Sequence, residues 1–93
     1  MANGKVRVEF ADGRSRRVSA TFIGPYLAVH RGVTSRGDRL DYYVITHRTC
    51  GRQLAWRDGR AEALAVAEAL DRECGPALPY LRRLFEIKEG RDG

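Results

Sequence analysis

The chain has 93 residues, with 17 Lys or Arg against 12 Asp or Glu, and 43% of its residues are hydrophobic. This length fits a single domain over residues 1–93 and excludes a large catalytic fold. The longest apolar stretches are far shorter than the roughly 20 residues of a membrane-spanning helix. The first ten residues lack the apolar segment of a secretory signal, so the sequence predicts a cytoplasmic protein without a membrane partner.

Positive charge is concentrated in the first two thirds of the chain. Residues 1–60 carry 12 basic and 5 acidic side chains, whereas residues 61–93 carry 5 basic and 7 acidic ones. Fifteen of the 17 basic residues are Arg, whose planar guanidinium can bind phosphate or carboxylate with two hydrogen bonds. This bias favours an anionic partner, although an Arg-rich and Ala-rich composition also arises from a GC-rich genome.

Alternating apolar and polar residues predict an antiparallel sheet of four to five strands. The first strand is expected over 5–10, where Val6, Val8 and Phe10 share one face, and Asp12–Gly13 is typical of a tight hairpin turn. The remaining strands are predicted over 16–23, 26–33, 42–48 and 52–57, with an exposed loop at 34–41.

The apolar period changes to about 3.6 residues after the last strand. It predicts a main helix over 60–74, capped by Asp58, that packs against the sheet through a stripe of small and apolar residues: Ala63, Val66, Ala67, Leu70 and Cys74. A C-terminal helix is expected over 79–88, followed by a disordered tail over 89–93. The predicted fold class is therefore α+β.

The residue types that perform catalysis or bind metal form no recognisable pattern. His30, His47, Cys50 and Cys74 include no closely spaced ligand pair, and a disulfide between the two cysteines is not expected in a reducing cytoplasm. No Ser or Cys occurs in the setting of an activated nucleophile. The sequence therefore predicts no enzyme, no catalytic residue, no metal and no cofactor.

Three aromatic residues lie near the predicted site. Tyr42 and Tyr43 are neighbours on one strand, so their side chains must point to opposite faces of the sheet. Trp56 is expected to fill the thin core more readily than to offer an exposed stacking surface.

Residues 30–73 resemble the ethylene-response-factor type of DNA-binding domain and its integrase relatives. The resemblance rests on Arg31–Val33, on the strands over 42–48 and 54–56, and on the alternating Ala and Glu residues of 61–71. It implies a three-stranded sheet that enters the major groove with the helix behind it. The strand arginines of the family would correspond to Arg31, Arg36, Arg48 and Arg52. The first tryptophan of the family is absent, and tyrosines occur in its region.

Two functions remain open from the sequence. The leading hypothesis is a module that binds nucleic acid through an Arg-rich sheet face. The alternative is a small phage- or plasmid-type accessory protein, similar to an anti-CRISPR, that inhibits a host protein such as a defence nuclease complex. A homodimer is possible through the first strand or the second helix. For either function the candidate residues are Arg7, Arg17, Arg31, Arg36, Arg48, Arg52, Arg57 and Tyr43, together with Lys5.

Overall fold

The computed structural model describes residues 2–74, which form a five-stranded antiparallel sheet and one helix. The strands are β1 (Ala2–Glu9), β2 (Ser15–Ile23), β3 (Leu27–Val33), β4 (Arg39–His47) and β5 (Gln53–Arg57), and the helix is α1 (Arg60–Cys74). Each strand pairs with its neighbour in the chain, so the sheet order is β1-β2-β3-β4-β5. This arrangement confirms the α+β class and the antiparallel sheet.

Most element bounds agree with the sequence prediction to within one residue, but the first and fourth strands begin earlier. The first strand begins at Ala2 instead of residue 5, because residues 2–4 also pair with β2. The fourth strand begins at Arg39 instead of residue 42, because Arg39 pairs with Val33 beyond a register shift and so belongs to the sheet instead of the loop. The helix begins at Arg60, and the carbonyl of Gly59 accepts the hydrogen bond of the Ala63 amide at 3.1 Å. Gly59 therefore occupies the N-cap position that was predicted for Asp58.

The predicted helix over 79–88 and the tail over 89–93 lie outside the described residues. Within residues 2–74, no helix has the length and apolar content needed to cross a bilayer.

The helix packs on one side of the sheet, which we call the helix face. The helix contacts the sheet through small side chains. Ala63 and Ala67 are completely buried, and their size allows the helix backbone to approach the strands closely. The strand residues beneath it are apolar and buried: Ile23, Leu27, Val29 and Ile45. Val66 and Leu70 pack at the edge of this core, which confirms the predicted helical stripe at these positions.

Part of the opposite side of the sheet, which we call the far face, is also buried. Val6, Val8, Ala20 and Ala28 form a second apolar cluster, as the alternation of β1 and β2 requires. The sheet curls around this cluster, because the end of β1 reaches the turn between β4 and β5. There the Glu9 amide donates to the Gly51 carbonyl at 3.1 Å.

Glycine is required at this contact. Gly51 has a φ of 77°, a left-handed conformation that glycine adopts without a steric penalty. A Cβ at this position would lie 2.8 Å from the backbone oxygen of Arg7, so a larger residue would push β1 away from the turn.

β2 and β3 pair along only part of their length. Three cross-strand pairs, from Ile23 with Leu27 to Thr21 with Val29, hold the strands together next to their connecting turn. Beyond Thr21, β2 pairs only with β1, while β3 continues to pair with β4. The strands therefore part, and the gap between them positions the candidate site.

Candidate nucleic-acid interface

Two adjacent depressions lie where β2 and β3 part, and together we call them the basic groove. The first has a volume of about 600 Å³ and lies between β1, Tyr43 and the start of α1. The second, of about 350 Å³, continues between the parted strands. Ser19 and Arg31 line both depressions, so the two lie side by side.

The lining of the basic groove is strongly positive. Its basic side chains are Lys5, Arg16, Arg17, Arg31, Arg39 and Arg60. Among the described residues, no Asp or Glu lines either depression. A concave surface lined by one sign of charge, with protein walls of low dielectric constant, concentrates the electric field and attracts ions of opposite sign.

Strand alternation explains why four of these charges meet, those of Lys5, Arg17, Arg31 and Arg39. Odd-numbered side chains of β1 to β4 point to the helix face, where α1 covers the apolar ones next to the β2–β3 turn. Farther along the strands the same positions carry charge. Lys5 and Ser19 are cross-strand partners, as are Arg7 and Arg17.

Several of these charges have no counter-charge. Among residues 2–74, Lys5, Arg17 and Arg39 make no side-chain hydrogen bond or ion pair. The Nη2 of Arg60 donates to the Thr21 hydroxyl at 3.0 Å, which holds this guanidinium at the groove wall. The groove thus contains free cationic groups beside one that is already oriented.

Arg31 is held at the junction of the two depressions. Its Nε donates to the carbonyl of Leu40 at 2.9 Å, and its Nη2 lies 3.2 Å from the Asp41 carboxylate, which is fully exposed. An exposed ion pair of this kind is worth little against water, so the Arg31 charge stays available to a phosphate.

Arg16 bridges the far end of the gap. Its Nε donates to the carbonyl of Ser35 at 3.0 Å and its Nη2 to that of Arg36 at 2.8 Å. These two hydrogen bonds tie β2 to the loop between β3 and β4, where backbone pairing between the strands is missing. The guanidinium thereby limits how far the groove can open.

Three of the residues predicted from the sequence line the basic groove together with Lys5: Arg17, Arg31 and Tyr43. Two more lie beside it on the helix face. Arg7 is the strand partner of Arg17 and forms an ion pair with Glu9 at 2.9 Å. Arg57 is the strand partner of Tyr43 on β5.

The structure places the other three predicted arginines elsewhere. The guanidinium of Arg48 lies 3.7 Å from the centre of the Phe22 ring and donates to the Gly24 carbonyl at 3.1 Å, so it fastens the β2–β3 turn. Arg36 contributes its carbonyl to the Arg16 contact. Arg52 lies in the β4–β5 turn, where its carbonyl accepts the His47 amide at 2.8 Å. None of the three lines the groove.

Sequence reasoning missed Arg16, Arg39 and Arg60. Arg39 was assigned to a loop, although its odd number continues the alternation of β4 and could have revealed its face. Arg60 is the first residue of α1, and only the packing of the helix brings it over Thr21. Arg16 is an even-numbered residue of β2, so strand alternation assigns its side chain to the far face. No sequence signal indicated its contact with the 34–38 loop.

Trp56 differs from its predicted role as a core residue. Its side chain is 58% exposed and lies against Tyr42, with ring centres 5.5 Å apart. The prediction was wrong because the core beneath α1 is completed on β5 by Leu54 and Ala55. Tyr43 packs at the edge of that core, so the two tyrosines do lie on opposite faces as predicted.

Both histidines are buried in the sheet. The Nδ1 of His30 lies 2.8 Å from the Arg31 carbonyl and its Nε2 lies 2.6 Å from the Thr46 hydroxyl. A neutral ring that donates from Nδ1 and accepts at Nε2 satisfies both contacts. Burial lowers the pKa of His30 below 6.5, and the hydrogen bond to the Arg31 carbonyl opposes this effect.

His47 is completely buried and stacks on Tyr26 with ring centres 6.1 Å apart. Its Nδ1 lies 3.4 Å from the Sγ of Cys50, a buried free thiol. Among residues 2–74, no three His, Cys, Asp or Glu side chains come together in a way that could hold a metal ion.

Comparison with known proteins gave no match: no family model, no curated protein and no solved structure is similar to this chain. The resemblance to the ethylene-response-factor type of domain therefore stays a prediction.

Proposed function

We propose that this protein is a non-enzymatic module that binds nucleic acid by its phosphate groups, and that the basic groove is the binding site. The observation that carries the proposal is the groove lining, which has six basic side chains and no acidic one among the described residues. A nucleic acid presents a regular series of phosphates, and release of its condensed counterions drives binding to such a surface.

The polar side chains of the groove support the same ligand. Ser19 and Asn3 line the first depression together with its cationic groups. The Ser19 hydroxyl and the Asn3 amide nitrogen can donate hydrogen bonds of the kind that hold phosphate and sugar oxygens, whereas the Thr21 hydroxyl is already bonded to Asn3 Oδ1 and Arg60. Arg60, the first residue of α1, lies at one wall of the first depression and adds a guanidinium to these groups. These contacts carry no base information, so the proposal is for binding with little sequence preference.

A second candidate is binding to an acidic protein surface, as an inhibitor of the anti-CRISPR kind would require. The observation in its favour is the exposed Trp56 beside Tyr42, since Trp and Tyr are enriched among residues that anchor protein interfaces. Recovery of the same partner protein after nuclease treatment would support this candidate over nucleic acid.

The test measures fluorescence anisotropy of labelled mixed-sequence oligonucleotides from low to physiological salt. We expect log K to fall linearly with log salt. The variants Lys5→Gln, Arg17→Gln and Arg39→Gln each remove one groove charge that makes no side-chain hydrogen bond or ion pair within residues 2–74. Each should weaken binding uniformly across sequences and reduce the magnitude of the salt slope by roughly 0.7 to 0.9.

The matched control is Arg72→Gln, which removes the same charge from the last turn of α1, at the end of the helix away from the groove. It should leave affinity and salt slope close to those of the unmodified protein. Absence of binding at low salt would refute the proposal, and so would equal losses in Arg72→Gln and the groove variants.

A further inference from the structure

We infer that the nucleic acid bound in the basic groove is a single strand, with one base stacked on Tyr43 and successive phosphates in the two depressions. This inference rests on the proposed function and specifies its ligand. It follows from the shape of the groove, from the position of its aromatic ring and from the spacing of its charges.

The basic groove is an open depression and not a protrusion, and this shape disfavours a duplex. Proteins that read a duplex insert a protruding helix or strand pair into a groove about 12 Å wide. Here α1 has its Ala63 and Ala67 side packed onto the sheet, and the positive charge lines a hollow between the strands. Volumes of about 600 and 350 Å³ are in the range of small-ligand sites, roughly 300 to 1,000 Å³, which accommodates individual nucleotides.

Tyr43 supplies an aromatic surface inside this hollow. It lines the first depression, and the register aligns it with Arg31 on β3 and Arg57 on β5. Proteins that bind single strands combine a positive groove with aromatic rings on which unpaired bases stack. The bases of a duplex are already stacked on each other, so only a single strand can use Tyr43 in this way.

The charges follow the direction of the strands. Lys5 and Arg7 are successive helix-face residues of β1, paired with Ser19 and Arg17 of β2. Two residues of a strand span about 6.6 Å, which is close to the distance between neighbouring phosphates of an extended single strand. A chain that passes Lys5 in the first depression can therefore place its next phosphate near Arg17 in the second.

The experiment compares labelled oligo(dT) and oligo(dA) of equal length with the duplex that they form, using the full chain and fluorescence anisotropy at low salt. We expect each single strand to bind about tenfold more tightly than the duplex. Tyr43→Leu should weaken single-strand binding about tenfold, because it removes the stacking surface. Tyr43→Phe keeps the ring and should bind as the unmodified protein does.

Tyr43 also packs at the edge of the helix core, so circular dichroism must show that each variant is folded at the assay temperature. If Tyr43→Leu unfolds, Lys5→Gln and Arg39→Gln provide the second test, because they lie in different depressions. Each should reduce the magnitude of the single-strand salt slope by about 0.7.

Equal or tighter binding of the duplex would overturn this inference and leave the proposed function standing. Binding of neither form would refute both. A folded Tyr43→Leu with unchanged single-strand affinity would overturn the assignment of Tyr43. A slope that changes for only one of Lys5→Gln and Arg39→Gln would show that the strand does not pass through both depressions.

Discussion

The two ends of the β2–β3 pair have the same strand alternation but opposite chemistry. Next to the turn, three cross-strand pairs join the strands, and α1 covers Ile23, Leu27 and Val29. At the other end the strands part, and the same face carries Arg17 and Arg31. Helix cover therefore decides whether a helix-face position belongs to the core or to the candidate site.

The first and largest test of this contrast compares a covered and an uncovered position on β4. Ile45 is completely buried beneath α1, so Ile45→Ala removes packed methyl groups and leaves a cavity. We expect the free energy of unfolding to fall by about 2 to 5 kcal/mol. Arg39→Ala, at the open end of the same strand, should change it by at most about 0.5 kcal/mol.

Urea denaturation followed by circular dichroism measures both values. Oligonucleotide binding should show the reverse order, with Arg39→Ala weakened and Ile45→Ala unchanged wherever it remains folded. Similar stability losses in the two variants would mean that the open end contributes to the core after all.

This contrast also explains how far the sequence could predict the structure. Period-two and period-3.6 patterns are local, so they located the strands and α1, including the buried Ala63 and Ala67. The parting of β2 from β3 depends on pairing between distant residues and has no period of its own. The groove members that were missed, Arg16, Arg39 and Arg60, are those whose position depends on this gap or on the docking of the helix.

The second test uses the residue at the point where the strands part. His30 directly follows Val29, the last β3 residue paired with β2, and burial lowers the pKa of its imidazole below 6.5. As the pH falls below 6.5, the unfolded chain takes up a proton that the folded chain does not. The free energy of unfolding should therefore decrease, by at most about 1.4 kcal/mol per pH unit, until the folded histidine also protonates.

The measurement is the urea midpoint at pH 7.5 and at pH 5.5 for the unmodified protein and for His30→Gln. His47 is present in both proteins, so the difference between their pH dependences isolates His30. We expect the unmodified protein to lose more stability than the variant over this range, because only the unmodified protein has the His30 imidazole whose pKa is lowered by folding. An identical pH dependence would show that the His30 ring is solvated in the folded protein. The buried part of the sheet at the paired end of β2 and β3 would then stop at Val29.

The smallest expected effect is at Arg16, whose side chain links β2 to the 34–38 loop where β2 and β3 have parted. Arg16→Lys keeps the positive charge, but an ammonium cannot reproduce the planar fork that bonds to the carbonyls of Ser35 and Arg36. Because Arg16 is exposed, water replaces much of the lost interaction, and the cost should be about 0.5 to 1 kcal/mol.

Amide hydrogen exchange should therefore rise at Thr34 and Gly37, whose amides bond within the bridged loop. The amide of Val29, at the paired end, should keep its rate. A uniform rise at all three amides would show that the paired and the parted ends of β2 and β3 unfold together. The shape of the groove would then depend on global stability and not on the Arg16 guanidinium.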